Sequence, residues 1–73
     1  MNEQEIVAKL REENPDFKKI SDEHHELDVQ LAEIDRKVYL TPEEEIERKK
    51  MQKQKLAKKD QMAEMIRDFK KTH

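Results

Sequence analysis

Seventy-three residues leave room for one domain, and a chain this short hides only about 60% of the surface that its unfolded form exposes, so its core must be thin. With 33% apolar and 47% charged residues, the composition lies between that of a disordered segment and that of a coiled coil. The absence of cysteine excludes disulfides, thiolate metal sites and thiol chemistry, which leaves helix packing or oligomerisation as the source of stability.

The chain opens on Met1-Asn2-Glu3-Gln4-Glu5, acidic where a signal peptide is basic, and no apolar run approaches the length of a membrane span. The implied setting is cytoplasmic, with no membrane contact. The net charge of −2 is unevenly divided. Residues 1–41 hold 6 basic and 11 acidic side chains, net −5, whereas residues 42–73 hold 10 and 7, net +3. The two halves are electrostatically complementary.

With no glycine anywhere, the two prolines are the main punctuation. Asn14-Pro15-Asp16 follows a short amphipathic arm, about residues 2–13, and reads as a helix start, since proline disfavours helical dihedrals at the residue before it. Beyond it, Phe17, Ile20, His24, Leu27, Leu31, Ile34 and Val38 recur at alternating three-four spacing, the heptad seam of a helix packed along another helix. The same phase includes Ile6 and Leu10, broken only by Glu13 and His24. The spacing therefore predicts a kink at Pro15 and a helix over about 15–39, roughly 37 Å long at 1.5 Å per residue.

Thr41-Pro42-Glu43-Glu44 is a stronger start signal. A capping hydroxyl precedes a proline at the first helical position, and Glu44 is placed to complete a capping box. The second helix, about 42–71, carries Met51, Lys55, Lys58, Met62, Met65 and Phe69 at seam spacing, with Leu56, Ala63 and Ile66 as a second stripe beside it. A short connection makes the two helices antiparallel neighbours and pairs residues whose numbers sum to about 85 or 86. Phe17 then lies near Phe69, Ile20 near Met65 and Ile34 near Met51. Leu27 and Leu31 face the stems of Lys58 and Lys55, whose ammonium heads reach acidic residues of the first helix. In this register Leu10 and Ile6 would need partners beyond the chain end, so Ile6, Val7 and Leu10 must fold back, fray or pack on another molecule.

The expectation is an all-α single domain: an antiparallel, coiled-coil-like two-helix hairpin with a kinked N-terminal arm, oligomeric. Three groups of residues in order, Leu10-x-x-Glu13-Asn14-Pro15-x-Phe17-x-x-Ile20, His24-x-x-Leu27-Asp28 and Lys55-Leu56-x-x-Lys59-Asp60, resemble the YdcH-like family of small bacterial proteins over about residues 6–66. The resemblance implies a short helical hairpin or coiled coil and no assigned biochemical activity. This chain departs from it at Lys58, where the family usually has leucine, and at Gln61, where glutamate is common.

The residues offer little catalytic chemistry. His24 and Asp28 share a helical face, with His25 adjacent, but two ligands do not make a zinc site, and His73 stands in the tail. No metal, cofactor or small-molecule substrate is expected, and His24 is read as a seam residue whose protonation would put a charge into the packing. Ser21, the only serine, stands three residues from His24 with no oriented base, and no phosphate-binding loop exists, so no enzyme is expected. The run Arg48 to Lys59, with seven basic and no acidic residues, invites a nucleic-acid reading. That reading is disfavoured because the bases of the run surround the helix and no aromatic is there to stack. The function expected is a protein-interaction module that self-associates or binds an unknown protein through Ile6, Val7, Leu10, Leu56, Ala63 and Ile66, with nucleic-acid association as the alternative.

Overall fold

The computed structural model describes residues 2–72, and among these the chain forms three α-helices and no strand: α1 (Glu3–Glu13), α2 (Pro15–Asp35) and α3 (Pro42–Thr72). Asn2 starts α1 by accepting the Glu5 amide on its side-chain oxygen at 2.8 Å, and Glu3 and Glu5 face the positive end of the helix dipole. Asn14 ends α1 and starts α2. Its backbone is extended (φ −122°, ψ 104°), as the following proline demands. Its N–H donates to the Leu10 carbonyl at 2.8 Å, while its side-chain oxygen accepts from the amides of Asp16 and Phe17. One residue therefore satisfies backbone groups at both helix ends.

Phe17 and Leu31 of the α2 seam are buried, and Ile20, His24, Leu27 and Ile34 are half-buried. α2 stops at Asp35, four residues short of the predicted end. Its last turn holds no basic residue to face the negative end of the dipole, the Lys37 amide closes on Ile34 in a tighter turn, and the Lys37 amine is drawn to Glu44 of α3. Val38, predicted on the seam, is consequently in the connection and 87% exposed, as is Tyr39.

The capping box opens α3: the Glu44 amide donates to Thr41 Oγ1 at 3.1 Å, and the Thr41 amide donates to Glu44 Oε1 at 3.2 Å. At about 1.5 Å per residue, the 31 residues of α3 span roughly 46 Å, matching the 47 Å length of the molecule. Ion pairs join it to α2 at Arg48–Asp35 (2.8 Å), Lys55–Asp28 (2.5 Å) and Lys58–Glu23 (3.1 Å). Residue numbers thus fall along α2 as they rise along α3. Lys55 and Lys58 occupy seam positions with half-buried side chains and send their amines to the acidic rim, as the snorkelling argument requires.

The apolar core lies where α2 begins and α3 ends. Phe17, Ile66 and Phe69 form it together with Ile6 and Leu10 of α1, and Val7, Met62 and Met65 pack against it. The arm has folded back. Arg11 anchors it, donating to Ser21 Oγ (2.8 Å) and Asp22 Oδ1 (2.9 Å) in the second turn of α2. Folding back was one of the three outcomes that the register left open for the arm. Ile6 and Leu10, expected on an interaction surface, are buried within the chain, and so is Ile66. The reason is geometric: α3 provides no partner beyond its end for a straight extension of α2, whereas the reversal at Asn14 lays the arm's apolar side over Phe17.

Candidate interaction surface

The residues singled out from the sequence separate into three places. Phe17, Leu31, Met51 and Phe69 are buried, with Ile20, His24, Leu27, Ile34, Met62 and Met65 half-buried around them. Ile6, Leu10 and Ile66 have joined that core, and Val7 is half-buried at its edge. Leu56 and Ala63 remain exposed, Leu56 to 51%.

Leu27 is less central than its seam position predicts. The positions opposite are lysines, and aliphatic stems cover a leucine less fully than a facing apolar side chain does. Phe17, in contrast, has no exposed surface.

The large apolar side chains that are exposed are Val29, Val38, Tyr39, Ile46 and Leu56. Along α3 they fall in line. Ile46, Lys49, Lys53, Leu56, Asp60 and Ala63 succeed one another at three-four spacing, and every one of them is exposed. Ile46, Lys49, Lys53, Leu56 and Asp60 face away from Met51 and Phe69, so α3 carries a second, open seam, while Ala63 at the end of the line borders the groove that Val7 and Ile66 also line. Val29, 44% exposed, lies similarly off the buried seam of α2. Ile46 and Val29 carried a signal in the sequence, since they are among the large apolar residues that the seam phase leaves out. Arg11 had no such signal, because its partners ten and eleven residues away are brought near only by the chain reversal.

A groove between the three helices is lined by Glu3 and Val7 of α1, His24 and Asp28 of α2, and Lys59 and Met62 of α3. Nε2 of His24 is buried there without a hydrogen-bond partner. His25 is exposed, and His73 lies outside the described residues. Among those residues no three His, Cys, Asp or Glu side chains converge on a point that could hold a metal ion, and no helix is long and apolar enough to cross a membrane. Ser21 is occupied in accepting from Arg11.

The basic run is partly spent inside the molecule. Arg48, Lys55 and Lys58 pair with α2, while Lys49, Lys50, Lys53 and Lys59 face solvent. The Lys55 amine, by hydrogen bond and charge, holds the Asp28 carboxyl below its ordinary range. Lys37, followed by the Thr41 amide, does the same for Glu44, and Asp35 raises the already high value of Arg48.

No curated protein and no solved structure matches the chain. The family described as "Protein of unknown function (DUF465)" matches residues 17–66, from the fully buried phenylalanine of α2 to a buried isoleucine of α3 and so over more than half of the chain; the protein belongs to that family, as its YdcH-like motifs implied.

Proposed function

We propose that the chain is a non-catalytic protein-interaction module, an antiparallel, coiled-coil-like helical hairpin with its arm folded back, that self-associates or docks a protein partner through the outer side of α3. The observation that carries this reading is the second seam, Ile46 and Leu56, interleaved with the lysine stems of residues 49 and 53. Single exposed apolar residues are ordinary on any surface. A line of them at heptad spacing, opposite a seam already buried, is the pattern of a helix that packs on two sides.

Replacing Ile46 and Leu56 together with glutamate tests the reading. Sedimentation equilibrium of the wild type at high concentration is expected to show an oligomer, and the double variant a monomer with unchanged helical circular dichroism. A wild type that stays monomeric and captures no protein from its native lysate through this face counts against it.

The alternative, a nucleic-acid-associated factor, draws its support from Lys49, Lys50, Lys53 and Lys59, which hold no ion pair among the described residues. Titration with RNA and with duplex DNA at two salt concentrations separates the readings. Binding that weakens steeply as salt rises, and that Lys49→Glu/Lys53→Glu abolishes, favours the alternative.

A further inference from the structure

The groove beneath α1 shows what it is shaped to hold: Phe17, Met62, Met65, Ile66 and Phe69 are covered by an eleven-residue amphipathic helix that presents Ile6, Val7 and Leu10. That helix is attached through one non-helical residue, Asn14. An isolated helix of this length is marginal in water, so α1 is held chiefly by its docking. The docking rests on few groups, two buried side chains, one half-buried valine and the Arg11 bonds to Ser21 and Asp22.

Folded back, α1 buries Ile6 and Leu10 in the core, and in a straight arm their spacing is in phase with Phe17 and Ile20 of the α2 seam, so an extended arm also has an apolar side to offer. The link between the two helices is the single residue Asn14, whose non-helical backbone Pro15 preserves. Extension carries Ile6 and Leu10 beyond the end of their own α3, where the groove of a second copy is the surface already fitted to them. A short hinge that must reverse the chain, joined to a small docked element, is the arrangement from which identical copies exchange that element and close into a two-fold dimer.

We propose that α1 is an exchangeable arm, docking either on its own chain or in the Phe17–Ile66–Phe69 groove of a second copy. The proposal deepens the self-association reading by naming an occupant and a groove, both separate from the outer seam of α3.

The chain has no cysteine, so pairs of introduced thiols report the geometry without interference. Val7→Cys and Met62→Cys, whose native side chains line the same groove, are purified separately, mixed at high concentration and oxidised. A disulfide joining the two variants is expected to form at least ten times faster than one between Val7→Cys and Ile46→Cys, where residue 46 is exposed at the opposite end of α3. Equal rates for the two mixtures would overturn exchange, since random collision then explains both. Asn14→Ala/Pro15→Ala, which permits an unbroken α1–α2 helix, provides a second reading. At a concentration where the wild type is monomeric, its sedimentation mass is expected to be twice that of the wild type, and a folded variant that stays monomeric also defeats the proposal. Oligomers that Ile46→Glu/Leu56→Glu dissolves, with no preference for the Val7–Met62 disulfide, leave the outer-seam reading standing and remove this one.

Discussion

Phe17 and Leu27 stand on one seam, yet they should differ sharply when truncated. Phe17 is fully buried among residues of all three helices, so Phe17→Ala should cost about 3–5 kcal/mol. For a domain of this size that is a large part of the total stability. Leu27 is half-buried opposite lysine stems, and Leu27→Ala should cost less than about 2 kcal/mol, the low end for a core leucine. Urea unfolding of both variants checks the order; a larger loss at Leu27 would show that the seam is tighter at its middle than its exposure indicates. His24 has the opposite character. Its Nε2 is buried without a partner, and an unsatisfied buried polar atom costs about 1–3 kcal/mol. His24→Leu should therefore raise the melting temperature by several degrees at neutral pH, whereas a lower value would mean that the ring makes a bond essential to the seam.

At the scale of elements, the helix starts and the ends of α1 and α3 were well marked in the sequence, and the end of α2 was not. Starts depend on local chemistry: Asn14 with Pro15, and Thr41 with Pro42 and Glu44, satisfy amides within three residues of themselves. Thr41→Ala removes the hydroxyl that the Glu44 amide needs and should cost about 1 kcal/mol. Thermal melts of Thr41→Ala and Thr41→Ser settle it, with the serine variant expected to stay close to wild type. The end of α2 depended on competition. Lys37 leaves the helix for Glu44, a residue of the next element, and no periodicity within α2 registers that pull. Val38 kept its seam phase in the sequence while losing the helix that would have placed it on the seam.

Across the whole molecule, the charge imbalance between the halves becomes a set of bridges at residues 23, 28 and 35 of α2 and 58, 55 and 48 of α3. Asp28 and Glu44 have carboxyl groups held below their ordinary values of 3.8 and 4.5. A carboxylate depressed in the folded state stabilises the fold above its unfolded value and ceases to do so as pH falls through the folded one. The urea midpoint should thus be level near pH 7 and decline from about pH 4.5 downward, by a modest amount because Asp28 is exposed and Glu44 only half-buried. Asp28→Asn/Glu44→Gln should flatten that decline, and an acid limb as steep as wild type would assign it to other carboxylates.

The sequence by itself determined the helical class, both capped starts, the Phe17–Phe69 end of the core and the half-buried lysines at 55 and 58, because each follows from spacing along a single helix or from bonds spanning three residues. Only the tertiary structure decided the fate of the N-terminal arm. The apolar phase of Ile6 and Leu10 is the same whether the chain runs straight or turns back at Asn14, so periodicity could not distinguish the two. The choice lay with the exposed end of the Phe17–Phe69 core and with Arg11 finding Ser21 and Asp22. Burying that arm removed Ile6, Leu10 and Ile66 from the surface and left the outer seam of α3, with Ile46 and Leu56, as the apolar line facing solvent.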